Sequence, residues 1–519
     1  MSPSRRIRAA LLATLLAGSC GHEAPPTRTE GPESLLVICV DTLRRDRLGV
    51  YSSARELTPN LDALAAESLV FTRATAPSSW TKPSVASLFT GLYPSRHGAL
   101  GSRGDRPELR DLAAEPWCLA EALRDAGRRT AGFVNNPHLD AARGFGRGFG
   151  IYEQPAGGAH DLLAKAARWI EEGEGPYFLY VHLIEPHAPY EPQVRFRDAH
   201  VTPSPGVNSP FTSLGNPIEL ALWSQAYRGW LRRGAEGTFE FDEGALRVDL
   251  LKEDQLRQLQ ELDPSITRET LLGRLELDFQ GYEDPRLREL RDHLVSRYDA
   301  EVAQTDDELG VFLRRLGAGG HLADAALVFT SDHGEAFLEH GLWGHQGDLS
   351  AEQLAVPLLL RARVGGKLLR GEVERPTSLV DLAPTLAEAL GVRTEDDLDG
   401  SSLWSDLMSG EARVSGTHTT FAELYVRDLD HVAASDGRYK LVRFLDRRTP
   451  VTWRGYDLEL DPGERSPLEP DDPRLATLRE RLDRYLERRE RDLARHATGD
   501  AGGTRTSEDL QRQLDALGY

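Results

Sequence analysis

Acidic and imidazole side chains stand at the ends of three apolar runs, and that mix of donors is the chemistry of a divalent-metal site. Asp41 follows the run 34–40, Glu185 and His187 follow 177–183, and Asp332 with His333 follows 325–330. Singly, each has a plainer use. An Asp after a strand caps the next helix, and Asp332-His333-Gly334-Glu335 makes an ordinary turn. The coincidence at three strand ends argues for one shared site, because open α/β sheets bind ligands beyond the carboxyl ends of their strands. Nearby in composition, Trp80-Thr81-Lys82-Pro83-Ser84 brings a hydroxyl and a cation to the start of a helical stretch. Thr81 suits a helix N-cap there, and a helix N-terminus also favours a bound anion.

Something rigid must hold these groups, and the apolar runs supply it. Runs 34–40, 177–183, 325–330 and 356–360 are nearly continuous in apolar residues, as central strands buried on both faces are. Helical periodicity occupies 58–67, 85–91, 119–126, 161–172 and 294–316. Strands alternating with helices predict an α/β fold with a large, mainly parallel sheet sandwiched by helices. The stretch 203–285 breaks the rhythm and is read as a helical insertion, either a lid or an inert surface addition. Segments 415–444 and 456–460 predict a smaller C-terminal β-sheet, followed by a charged helix over 472–495 whose charges form a solvated face. The expected organisation is a catalytic domain at 34–410, a C-terminal subdomain at 411–490 and a tail at 491–519.

The N-terminus reads as a targeting segment. Arg5, Arg6 and Arg8 precede a short apolar run ending at Ala17-Gly18-Ser19-Cys20, a lipoprotein-like signal peptide over 1–20 with a polar linker over 21–33. The expectation is an exported protein, periplasmic or at the cell surface, touching membrane only through a lipid anchor at Cys20. The other two cysteines, Cys39 and Cys118, read as buried thiols. A formal net charge of -20 repels phosphate backbones and excludes general nucleic-acid binding. Any anionic substrate must then be drawn in by a local device, a metal ion or a few placed cations.

In order along the chain, several motifs resemble the sulfatase family of the alkaline phosphatase superfamily. They are Val40-Asp41-Thr42 after the first strand, Thr81-Lys82-Pro83-Ser84-Val85 continuing to Gly91-Leu92-Tyr93-Pro94-Ser95-Arg96-His97-Gly98, His182 through His187-Ala188-Pro189-Tyr190, and Ser331-Asp332-His333-Gly334-Glu335 with Glu339-His340 and Gly344-His345. Tyr456-Asp457-Leu458 with Asp461-Pro462-Gly463-Glu464 adds a later match. The resemblance implies that Asp41, Asp332, His333 and Thr81 hold a divalent metal, calcium or magnesium by family habit, with zinc or manganese suited to the imidazole. It implies Thr81 as nucleophile, His187 near the leaving-group oxygen, and His345, and after it His340, facing the substrate oxyanion.

Departures from the pattern matter as much. The family's nucleophile begins as Cys or Ser and is oxidised to formylglycine; the methyl of Thr81 would yield a ketone instead. Val85 replaces the usual Arg of that motif, with Lys82 as a substitute cation. Thr42 replaces a second Asp, and Phe133-Val134-Asn135-Asn136-Pro137 replaces a Gly-Lys-Trp-like segment. A threonine hydroxyl is a poor nucleophile until a divalent cation lowers its pKa, and threonine serves phospho-transferring relatives in this superfamily. The expected activity is therefore hydrolysis of a sulfate or phosphate ester, on a small molecule, glycan or lipid headgroup, through a covalent Thr81 intermediate that favours phosphoesters. Two alternatives stay open: a phosphoethanolamine- or phosphoglycerol-type transferase, and a catalytically silent binding protein on the same scaffold.

Overall fold

The run 34–40 forms strand β1 (Ser34–Val40), every residue of it buried, inside a nine-stranded sheet. This is a computed structural model that describes residues 31–498 apart from 52–55, 101–110, 203–230, 234–238, 242–284, 410–412, 427–428, 446–449 and the single positions 156, 189, 341 and 396. The further strands in chain order are β2 (Leu69–Phe71), β3 (Arg129–Val134), β4 (Ile151–Glu153), β5 (Tyr177–Leu183), β6 (Ala325–Ser331), β7 (Leu358–Arg361), β8 (Gly371–Val373) and β9 (Arg413–Val414). They stand side by side as β9-β8-β2-β7-β6-β1-β5-β3-β4. Both neighbours of β1 run parallel to it, Cys39 pairing with His182 on one side and with Thr330 on the other.

Period-2 alternation sends β1 side chains to two separate cores. Leu35, Val37 and Cys39 pack with Val85, Phe89, Leu119 and Leu123. Leu36, Ile38 and Val40 pack with Leu162, Ile170, Leu309 and Phe312 on the opposite face. The helices covering the first face are α1 of the site, Thr81–Thr90, and α2, Leu119–Asp125. Those on the second are α3, Ala159–Glu171, and α4, Pro285–Ala318. Burial on both faces is why these strands read as unbroken apolar runs.

One strand runs against expectation. β7 pairs antiparallel with β6 and with β2. The chain leaves β6 at the edge carrying Asp332 and returns from that same edge, so β7 must point the other way. Of the expected helical insertion, only the antiparallel pair Leu231–Arg233 with Phe239–Phe241 falls among the described residues before α4 begins at Pro285. The expected signal peptide, the Cys20 anchor and the end of the tail also lie outside the described residues. No helix among the described residues is long and apolar enough to cross a membrane.

The C-terminal sheet is an antiparallel meander of β10 (Thr420–Val426), β11 (Leu429–Ser435), β12 (Tyr439–Phe444) and β13 (Thr452–Asp457). Helix α5 (Ala476–Thr498) packs Leu478, Leu482 and Tyr485 against Val432 and Leu441. Its charges are not all a solvated face, as the sequence reading had them. Arg489 is buried and binds Glu423 at 3.0 Å and Asp430 at 2.9 Å. Glu423 also accepts from Ser95 Oγ at 2.7 Å, so this network ties the C-terminal sheet to the segment behind α1.

Candidate active site

Three strand ends converge, as the sequence reading required, though with one change of cast. Asp41 continues the β1 ladder, its N–H donating to the Leu183 carbonyl at 2.8 Å. Thr42 then turns with φ of +54°, a costly conformation for a β-branched residue. That turn aims the Thr42 N–H at Asp332 Oδ1, 3.3 Å away. Asp332 and His333 leave β6, and Gly334 follows because a Cβ there would lie 2.1 Å from the Glu352 carbonyl oxygen. Helix α1 starts at Thr81 itself, four residues earlier than its periodicity suggested. Trp80 is the cap residue, so the N-cap reading of Thr81 is corrected. The Thr81 hydroxyl is left to face the acids.

The donor atoms cluster closely. Thr81 Oγ1 lies 3.3 Å from His333 Nε2 and 3.5 Å from Asp41 Oδ2. His333 Nε2 lies 3.7 Å from Asp41 Oδ1 and 3.8 Å from Asp332 Oδ2. His333 Nδ1 donates to the Gly334 carbonyl at 2.9 Å, and because a carbonyl only accepts, Nε2 carries the lone pair. Asp41 Oδ1 and Asp332 Oδ2 are buried with no hydrogen-bond partner among the described residues. Two buried carboxylate oxygens without donors are costly to hold. Ligands of one ion stand about 3–4 Å from each other, so these atoms fit a divalent cation: Asp41, Asp332 and His333 form a metal-ligand cluster with Thr81 beside it. Electrostatics agree. Burial and the neighbouring Asp41 push the Asp332 carboxyl well above the usual carboxylate range. Burial works against Asp41 too, yet the hydrogen bond from His182 and the nearby His187 and His333 hold it below that range.

Two imidazoles complete the wall. The His345 ring lies 4.6 Å from that of His333, and the His187 ring 5.0 Å from that of His345. In both, Nδ1 is tied to an oxygen, Glu335 Oε1 at 3.1 Å for His345 and the Ala188 carbonyl at 2.6 Å for His187. In both, Nε2 is the ring nitrogen turned away from that oxygen. His340 is not with them; it pairs with Glu352 at 3.1 Å. Glu185 likewise stands apart from the ligands, accepting from the Ala159 N–H at the start of α3 and from Asn135. Lys82 is fully buried on the first turn of α1, its ammonium 5.3 Å from the Trp80 ring. Burial pulls it down to about 7, against the attraction of Asp111. His138 packs edge-on against Trp80, and His97 bonds Ser87 Oγ at 3.0 Å.

Sequence reasoning missed two partners of Asp41. Asn136 Nδ2 donates to Asp41 Oδ2 at 2.6 Å, and His182 Nε2 lies 3.2 Å from the same oxygen. His182 Nδ1 is 2.9 Å from the Tyr180 hydroxyl. Since the Asp41 carboxylate accepts only, the chain runs Tyr180 O–H to Nδ1 and Nε2–H to Asp41. A period-2 count would have found it. Phe178 and Tyr180 face the core beneath α1, so His182 does too. Outer partners of metal ligands hold them in place. His182→Ala is therefore expected to weaken divalent-cation affinity about 10–100-fold, with partial recovery in His182→Gln, whose amide N–H reaches the same way. Calorimetric titration with manganese checks this; unchanged affinity in His182→Ala would refute it.

This is the site of a sulfatase-type ester hydrolase, and the chain belongs to the sulfatase family, whose match covers residues 33–392. Residues 339–492 also match the C-terminal family of N-sulphoglucosamine sulphohydrolase. Among characterised proteins, it is 24% identical to the multifunctional alkaline phosphatase superfamily protein PehA of Trinickia caryophylli, over 88% of this chain and 94% of that one. It is 24% identical to an N-acetylglucosamine-6-O-sulfatase of Bacteroides thetaiotaomicron, over 87% and 85%. The fold matches the phosphonate monoester hydrolase of Agrobacterium radiobacter with a TM-score of 0.59, covering 89% of this chain and 96% of that one at 21% identity. In this family Thr81 occupies the position of the formylglycine residue.

Proposed function

We propose that this hydrolase cleaves phosphate esters, and sulfate esters less readily, by forming a covalent ester on Thr81. The observation that carries the reading is the Thr81 hydroxyl, set within 3.5 Å of both His333 and Asp41 at the first residue of α1. Asp41, Asp332 and His333 would hold a divalent cation, which would neutralise charge on the oxyanion and acidify the hydroxyl. Thr81 Oγ attacks phosphorus, the ester P–O bond breaks, and the hydroxyl proton leaves toward Asp41 Oδ2, its acceptor here. His187 Nε2 gives a proton to the departing alkoxide. Having given up that proton, His187 Nε2 takes one from the water that attacks phosphorus; the Thr81 Oγ–P bond breaks, Oγ recovers its proton from Asp41, and inorganic phosphate leaves. The N-terminus of α1 favours the anion throughout. A threonine ester lacks the hydrate hydroxyl with which a formylglycine ester can collapse, so release depends on direct attack at the central atom. The relatives named for sugar sulfates favour an ester carried on a sugar. A panel of aryl phosphate, phosphodiester, phosphonate and sulfate substrates under several divalent cations tests this. Turnover ranked with phosphorus substrates above sulfate supports it; sulfate alone being cleaved would overturn the preference.

A further inference from the structure

Between the main sheet and the C-terminal meander lies a cleft of about 290 Å³, lined by neither Thr81 nor the metal ligands. Four cationic side chains border it, Arg45, Arg73, Arg438 and Lys440, and two acids, Glu459 and Glu464. The acids are already engaged. Glu464 holds Lys440 at 2.7 Å, and Glu459 holds Arg438 at 3.1 Å, with Asp457 on the other arm of that guanidinium at 3.4 Å. Arg45 and Arg73 are within 4 Å of no carboxylate among the described residues. The neighbouring Asp46 is held by Arg44 at 2.7 Å and by Arg47 at 3.1 Å.

Arg45 is the telling group. Among the described residues its side chain makes one hydrogen bond, to the Thr72 carbonyl at 2.7 Å, and it lies over the Tyr51 ring at 5.9 Å. Burial draws its pKa below the ordinary value, against the attraction of Tyr51 and Asp46, as for a cation held largely out of water. A guanidinium has five N–H donors in a fixed fork, and a fork with one acceptor filled is completed by an oxyanion. The chain as a whole carries a net charge of -20, so a recess bordered by two arginines that form no ion pair among the described residues is a local positive potential on a repelling surface. The volume sits near the lower end of small-molecule sites, room for a tetrahedral anion or a sugar bearing one.

We propose that this cleft is a second anion site, independent of the metal cluster, binding a phosphate or sulfate group with Arg45 as principal ligand and Arg73 at its mouth. The group arrives either as a free ion or as an ester on a sugar, and the two sources are separable by experiment. Full-length protein stripped of metal with a chelator is titrated calorimetrically with inorganic phosphate, inorganic sulfate and glucosamine 6-sulfate. Wild type is expected to bind without any divalent cation. Affinity falls about tenfold or more in Arg45→Ala and several-fold in Arg73→Ala, by the loss of charge-assisted hydrogen bonds, while Thr81→Ala binds as wild type does. Equal affinity for the inorganic ions and the sugar sulfate assigns the free ion; preference for the sugar sulfate assigns the ester. Melting curves establish that each variant is folded, and Arg45→Gln replaces Arg45→Ala if the latter is not. The proposal is overturned if wild type binds none of the three anions without metal, or if folded Arg45 and Arg73 variants keep wild-type affinity.

Discussion

Thr81→Ala is expected to lower kcat by about 10⁴-fold or more on every substrate the wild type turns over, the scale seen when a covalent nucleophile is removed. The hydroxyl faces the ligand cluster from the start of α1, at 3.3 Å from His333 Nε2. Removing it leaves Asp41, Asp332 and His333 in place, so metal affinity should change far less than turnover. Thr81→Ser keeps the hydroxyl and loses only the methyl that helps fix its rotamer, and is expected to stay within about tenfold of wild type. Steady-state kinetics beside metal titrations separate the cases. If Thr81→Ala and wild type turn over alike, water or another side chain attacks directly. If Thr81→Ala loses metal as well as activity, the hydroxyl is chiefly a ligand.

The second large effect is expected from Asp332→Asn, and it has opposite signs for stability and activity. Without a cation, Asp41 and Asp332 are two buried carboxylates sharing one space, each with an oxygen that lacks a donor. The raised Asp332 pKa means that the folded protein keeps a proton which the unfolded chain has lost. Stability from that proton is present at acid pH and is lost as pH rises through the folded value. Asp41, held low, contributes the reverse, lost only in strong acid. Asp332→Asn relieves the repulsion and offers Asp41 Oδ1 a donor. It should stabilise chelator-treated protein at pH 8 by about 1–3 kcal/mol, with less gain at pH 5. A saturating divalent cation should raise the wild-type melting temperature most at pH 8 and leave Asp332→Asn nearly unmoved, with its activity lost. A variant less stable than wild type in chelator, or one still stabilised by the cation, would contradict the shared-ion reading.

Much of this was legible in the sequence because burial on both faces leaves unbroken apolar runs. β1 and β5 carry the bounds their runs suggest, and Asp41, Asp332 and His333 follow from topology. What escaped notice depends on features with no local signature. β7 is as apolar as a parallel strand, since direction is set by which edge the chain returns from. Helix α1 begins at Thr81 because its first turn is buried like the rest, which hides the amphipathic period. Arg489 looks like any other charge on α5 until Glu423 and Asp430 are brought to it from separate strands. Asn136 and His182 act on Asp41 only through strand neighbours 95 and 141 residues away. Glu185, a carboxylate at a strand end, and His340, an imidazole in a family-like motif, have other partners through packing.

The central claim is that Thr81 becomes covalently bound during turnover. Metal-loaded enzyme mixed with excess aryl phosphate, quenched in acid within milliseconds and digested, puts that to mass measurement. The peptide beginning near Trp80 is expected to gain the mass of one phosphoryl group, with fragmentation placing it on Thr81 and the gain absent in Thr81→Ala. An active enzyme under saturating substrate that carries the group on another residue, or that shows a burst of product with no labelled peptide, would contradict the account.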